Sequence, residues 1–159
     1  MQESLIVLRL VLNALGQSPN ISTVDERKRL QKAIYLAQIS GADMGYRFNW
    51  YVKGPYSPTL AKDYYLLAEH EPALRDADKK WALPSSLMSR LHSVRPLHTP
   101  PPDAPLSQPN WLELVASLHF LRHVSRMSEG DARKEVAARK PLLSAYTPQA
   151  ERALRNVFG

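Results

Sequence analysis

Apolar residues recur at helical spacing along most of the chain. Residues 3–15 are nearly all apolar, with their few polar positions on one edge, and predict a helix buried on most sides. Thr23 with Glu26 three positions later is a capping-box pattern, which predicts a second helix running to about Ser40. The first 40 residues are therefore predicted to form two packed helices.

A strand and a tight turn follow these helices. Residues 46–52 are rich in aromatic and β-branched side chains and predict a short strand, whose partner the pattern does not identify. Gly54 can adopt backbone angles closed to other residues, and Ser57-Pro58 is a favourable helix start. The pattern thus predicts a fixed turn at residues 53–57 and a helix from Ser57 to about His70.

The second half is divided by a proline-rich segment. Six of the 13 prolines fall within residues 96–109, which predicts an irregular, exposed connector. Residues 111–125 then form an apolar helix expected at the centre of the core, and further helices are predicted at 128–140 and 147–158. Because the residues after the connector have too little apolar surface to fold alone, we expect them to pack back on the first half.

These elements predict a single, mainly α domain spanning residues 1–159, compact, with a small β element near residues 46–53. A winged-helix-like arrangement is compatible with that order. The connector at 96–109 lies inside the domain rather than between two domains.

Composition narrows the class of protein. The chain has 159 residues, of which 44% are hydrophobic and 23% charged, as in ordinary globular proteins. It contains no cysteine, which excludes disulfides and thiolate metal sites and favours a cytoplasmic location. The apolar run at 5–15 is too short to cross a bilayer and lacks the basic flank and cleavage site of a signal peptide, so no membrane association is expected.

Catalytic motifs are sparse in this sequence. His119 and His123 are four apart, a spacing that can place two imidazoles on one metal ion, but the pattern supplies no third ligand. Asp63 with Tyr64 and Tyr65 could supply acid/base groups, but Leu60, Tyr64 and Leu67 have the spacing of a core stripe, so packing is favoured. We therefore expect a non-enzymatic protein without catalytic residues, cofactor or metal, and keep a metal-dependent hydrolase as a weaker alternative.

Positive charge is the more suggestive feature. Lysine and arginine number 21 against 15 acidic residues, a net charge of +6 with a pI near 9.7. Lys28, Lys32, Arg47 and Lys53 lie among aromatic residues, a combination that can contact phosphates and stack bases. Lys28 and Lys32 are expected to reach solvent by their stems. A nucleic-acid-binding regulator is therefore the main alternative, although the helix after the turn carries no arginine with which to read bases.

One stretch resembles known bacterial families. Leu30-Gln31-Lys32-Ala33-Ile34-Tyr35-Leu36, followed by Phe48-x-Trp50-Tyr51-x-x-Gly54-Pro55-Tyr56-Ser57-Pro58-x-Leu60, is similar to the uncharacterised YwgA-like proteins. More distantly, it resembles the Panacea domain of SocA-type antitoxins. The resemblance implies a small helical domain that acts by binding: an antitoxin-like or regulatory module, or an accessory of phage-defence or mobile-element loci.

We therefore expect a protein partner, such as a toxin or a defence-system component, rather than a substrate. The predicted partner-binding surface is the rigid turn with its neighbours. Its residues are Tyr51, Lys53, Gly54, Pro55, Tyr56 and Ser57.

Overall fold

The computed structural model describes the backbone of residues 2–159 and the side chains of residues 3–159. The fold is mainly α with one small antiparallel hairpin, as the sequence predicts. The longer helices are α1 (Gln2–Leu15), α2 (Val24–Ile39), α3 (Pro58–Glu69), α6 (Ser85–Val94), α7 (Gln108–His123), α8 (Glu129–Arg139) and α10 (Thr147–Phe158). The remaining elements are the one-turn helices α4 (Glu71–Leu74), α5 (Ala77–Lys80) and α9 (Pro141–Ser144), a 3₁₀ turn at Arg95–His98, and the strands β1 (Asn49–Tyr51) and β2 (Gly54–Tyr56).

Side-chain caps fix several helix starts. Thr23, Ser57 and Ser128 each accept a hydrogen bond from the backbone N–H three residues later, at 3.1–3.2 Å. These bonds satisfy amides that have no partner inside the helix. The starts predicted for α2, α3 and α8 are therefore confirmed.

The core is organised around α2 and α7, which pack side by side. Trp111, at the start of α7, is fully buried and donates its indole N–H to the Leu97 carbonyl at 2.8 Å. Because α7 contacts α2 and β2 while α10 contacts α7, the second half packs back on the first, as predicted.

The proline-rich segment differs from the expected connector. It is largely irregular, but Leu97, His98 and Ala104 are buried at 0–2% exposure, so the prediction of an exposed segment is wrong for these positions. Helix α7 also starts earlier than predicted, because the Ser107 hydroxyl accepts from the Asn110 N–H and caps it. The proline-rich segment therefore packs against the core through its buried residues.

The hairpin gives the aromatic strand its partner. Trp50 pairs with Pro55 and Tyr51 with Gly54, so the turn residues predicted from sequence are themselves the second strand. The strand is shorter than the predicted 46–52. Val52 and Lys53 form the loop, and the positive φ falls on the next residue, Gly54, at +93°. The strand pairs are in continuous register, so the loop has only these two residues, and Gly54 supplies a backbone angle that other residues rarely adopt.

Among the described helices, none combines the length and apolarity needed to cross a membrane.

Candidate functional site

Three lysines surround a single carboxylate beneath the hairpin. Lys28 donates to Glu113 Oε1 at 2.9 Å and Lys140 to Glu113 Oε2 at 2.6 Å. Lys28 also donates to the Asn110 side-chain oxygen at 2.7 Å. Lys32 is the third member, and all four charged residues are at most 7% exposed. We call Lys28, Lys32, Lys140 and Glu113 the lysine cluster.

The cluster carries more positive than negative charge in a buried setting. Burial lowers the pKa of Lys32 to about 7; the Glu113 carboxylate opposes this shift, and the charges of Lys140 and Lys28 add to it. Burial alone would raise the pKa of Glu113, but hydrogen bonds and charge from Lys140 and Lys28 outweigh it, so that pKa lies below its usual value. Glu113 is therefore ionised and holds two ammonium groups.

Two of these lysines also hold the hairpin. Lys32 Nζ donates to the Pro55 carbonyl at 2.7 Å, and Lys140 Nζ donates to the Val52 carbonyl at 3.0 Å. The Lys140 ammonium lies 5.4 Å from the centre of the Trp50 ring, within range of a cation–π contact. The hairpin backbone thus accepts one hydrogen bond from α2, at β2, and one from Lys140, the residue after α8, at the loop.

Two further contacts fix the strand that enters α3. Gln31 donates to the Ser57 carbonyl and accepts from the Ser57 N–H, both at 2.9 Å. Gly54 lies so close to α7 that a Cβ on it would stand 2.5 Å from Ser117 Oγ. The side of β2 that faces the core therefore has no freedom to shift.

The outer side of the hairpin is apolar and exposed. Val52 is 92% exposed and Tyr51 45%, and the Tyr51 and Tyr56 rings meet edge to face at 5.0 Å. Leu142, which is 88% exposed, follows two positions after Lys140, whose side chain holds the Val52 carbonyl. We call Tyr51, Val52 and Lys53 the hairpin tip.

The six predicted partner-binding residues separate into two groups. Tyr51 and Lys53 are exposed and Tyr56 is half-buried. Gly54, Pro55 and Ser57 are buried, so they support the surface from within. Sequence reasoning missed Val52 and Leu142, because an isolated apolar residue in a loop has no period that reveals its exposure.

The four predicted nucleic-acid contacts separate in the same way. Arg47 and Lys53 are exposed. Lys28 and Lys32 are 7% and 1% exposed, so the expectation that they reach solvent is wrong. Their positions on α2 face the Glu113 carboxylate of α7 and the Pro55 carbonyl, and those partners draw both ammonium groups inward.

The two histidines lie together beside a buried tyrosine. The His119 and His123 rings are 4.6 Å apart, and His119 Nδ1 is 2.7 Å from the Tyr35 hydroxyl. Burial and the neighbouring His123 lower the pKa of His119 to about 4, and burial raises the pKa of Tyr35. Over residues 2–159, no three His, Asp or Glu side chains are grouped as metal ligands would be. Within these residues, the fold therefore adds no third ligand to His119 and His123, which a metal-dependent hydrolase would need.

Asp63, the candidate for an acid/base role, makes a structural hydrogen bond. Its carboxylate accepts from the Tyr46 hydroxyl at 2.7 Å, and Tyr64 beside it is buried. This bond and burial raise the pKa of Tyr46. The arrangement joins α3 to the segment before β1.

Comparison with protein-family models, curated protein sequences and solved structures gives no significant match. The resemblance to YwgA-like and Panacea proteins therefore stays a prediction.

Proposed function

We propose that this protein acts by binding a partner protein through the hairpin tip. The observation that carries the proposal is a fully exposed valine on a hairpin whose backbone is held by buried lysines. Tyrosine is enriched among the residues that carry binding energy at protein interfaces, and the exposed Tyr51 precedes Val52 on this hairpin.

Preorganisation supports this role. Ordering a mobile side chain or loop on binding costs about 0.5–1.5 kcal/mol per side chain. Lys140 and Lys32 bind the carbonyls of Val52 and Pro55 already in the free protein, so the tip backbone has little freedom left to lose. Tyr51 packs against Tyr56, which restricts its ring as well.

Charge indicates the character of the partner surface. Lys53, in the hairpin tip, and Arg47, two residues before β1, are both exposed, and the whole chain carries +6. A partner with an apolar pocket rimmed by acidic residues fits this surface best, and its association should be faster at low ionic strength.

The biological class of the partner rests on the resemblance stated from sequence. An antitoxin-like module, or an accessory of a phage-defence or mobile-element system, would bind a toxin or another component of that system. A binding role without catalysis agrees with the structural use of Glu113, Asp63 and His119 described above.

The test is quantitative co-purification from the native host with three tagged chains: the unchanged protein, Val52→Asp and Val124→Asp. Val124 is also an exposed apolar residue, at 53%, but lies at the end of α7 away from the hairpin tip in sequence. We expect one or more proteins to be retained by the unchanged chain and by Val124→Asp, and lost from Val52→Asp. Equal retention by all three folded chains, or no retained protein at all, would overturn the proposal.

The nucleic-acid alternative is separated by a salt titration. A protein that uses Arg47 and Lys53 on phosphates should bind DNA or RNA fragments at low salt and lose affinity steeply as salt rises. Lys28 and Lys32 are buried in the lysine cluster. Of the four predicted contacts, Arg47 and Lys53 therefore remain at the surface. Salt-sensitive binding that Lys53→Gln weakens and the uncharged variant Val52→Ser leaves unchanged would favour the alternative.

A further inference from the structure

Helix α1 leaves part of its apolar surface uncovered. Ile6 and Val7 are half-buried, although the helix is otherwise a core element. Beside them, Trp81 at the end of α5 is 58% exposed. Together with Leu10 and Leu83 they line an open groove of about 670 Å³. We use the name α1 groove for this open groove together with the neighbouring hollow that shares Glu3 and Val7 with it.

The groove continues into an acidic chamber. A second hollow of about 520 Å³ shares Glu3 and Val7 with the first and is lined by Asp43, Asp63 and Tyr46. Among the described residues that line it, none is lysine, arginine or histidine. Lys80 lines the apolar chamber only. The α1 groove is thus elongated, apolar at one end and acidic at the other.

The acidic charge is uncompensated in a basic protein. Within the described part of the chain, none of Glu3, Asp43 and Asp63 is in an ion pair. Three carboxylates that form no ion pair with any described residue create a local negative field on a chain whose net charge is +6. A cationic occupant would relieve their mutual repulsion.

We propose that the α1 groove binds a basic amphipathic peptide segment of another protein. Apolar side chains of the segment would contact Trp81, Val7 and Ile6, and lysine or arginine side chains would meet the three carboxylates. An open, elongated groove with an aromatic wall suits an amphipathic helix better than a compact small molecule. This surface shares no residue with the hairpin tip, so the protein would bind two partners at once.

The probe is a short, labelled amphipathic peptide of leucine and lysine, followed by fluorescence anisotropy at low and moderate salt. A peptide with glutamate in place of lysine is the charge control. We expect the lysine peptide to bind, its affinity to fall as salt rises, and the glutamate peptide to bind at least about tenfold more weakly. Failure of the lysine peptide to bind, or equal binding of both peptides, would overturn the proposal.

Variants locate the binding. Asp43→Asn and Asp63→Asn remove charge but keep an oxygen to accept from the Gly45 N–H and the Tyr46 hydroxyl, so the fold is retained. Their combination should weaken the lysine peptide several-fold, and Trp81→Ala by about tenfold. Glu69→Gln, which removes an exposed charge from the same helix as Asp63, should leave affinity unchanged. An equal loss in Glu69→Gln would mean that overall charge, not the groove, attracts the peptide.

Two other occupants would replace the proposed one. Concentration-dependent dimerisation in sedimentation, abolished by Trp81→Ala, would assign the groove to a second copy of this chain. Binding to vesicles of anionic phospholipid, lost in the same variant, would assign it to a membrane surface. Either result overturns the peptide proposal.

Discussion

Substitution of Gly54 by alanine tests how tightly the hairpin is seated on α7. Gly54 has a φ of +93°, where a side chain is strained, and its Cβ would lie 2.5 Å from Ser117 Oγ. The Ser117 residue is fully buried, and its hydroxyl has no hydrogen-bond partner among the residues that the structure describes. The substitution therefore combines a backbone cost with a steric one.

The two costs can be sized separately. Placing a non-glycine residue at positive φ costs about 1–2 kcal/mol. Overpacking a buried contact costs about 1–3 kcal/mol. We expect Gly54→Ala to lower the free energy of unfolding by the sum of the two, about 2–5 kcal/mol. Gly45→Ala is the matched control, because Gly45 has a φ of +79° with nothing within 4 Å of the added Cβ, and it should lose only the backbone share.

A double-mutant cycle with Ser117→Ala isolates the steric share. Removing a buried hydroxyl that has no partner should change stability by about 1 kcal/mol at most. In the double variant the clash disappears, so we expect a favourable coupling of about 1–2 kcal/mol from urea denaturation followed by circular dichroism. A cycle that is additive within about 0.5 kcal/mol would refute the close seating of Gly54 on Ser117.

Three further predictions concern the lysine cluster and its neighbours. Glu113→Gln leaves buried ammonium groups without a counter-charge and should cost about 3–5 kcal/mol in urea denaturation, whereas a loss below about 1 kcal/mol would contradict that ion pairing. Lys32 has a folded pKa of about 7 against 10.5 when unfolded, so the unfolded chain binds more protons between these values and stability should rise with pH across that window. Lys32→Met should remove this rise, and an identical pH profile in both chains would contradict the burial of the charge. Gln31→Leu leaves the buried N–H of Ser57 unpaired, while the Ser57 carbonyl keeps the Ala61 N–H, and should cost about 1–3 kcal/mol by thermal or urea unfolding; a neutral result would show that Gln31 does not hold the strand.

Local signals in the sequence predicted helix starts well. Thr23, Ser57 and Ser128 are capping residues whose effect depends on the next three residues, so a linear pattern contains the information. The apolar periodicity of α7 likewise predicted its central place, because a helix that is apolar nearly all round must be buried.

Tertiary pairing could not be read from the sequence. Lys28 and Lys32 belong to a helix face that looks solvent-exposed until Glu113, about 80 residues later, is brought opposite them. Similarly, the partner of β1 was not recognised, because Gly54-Pro55 lacks the alternation of a strand. Long-range charge pairing and the seating of Gly54 against α7 depend on packing that no local window contains.

The most direct test of the account is amide hydrogen exchange of the free protein, resolved by residue, because the proposed binding role requires a hairpin already fixed before a partner arrives. We expect the N–H groups of β1 and β2 that are bonded across the hairpin to be protected, and Lys140→Met to reduce that protection while α7 stays protected. Exchange of those amides at the rate of an unfolded peptide in the unchanged protein would contradict the central claim that buried lysines hold the tip in place.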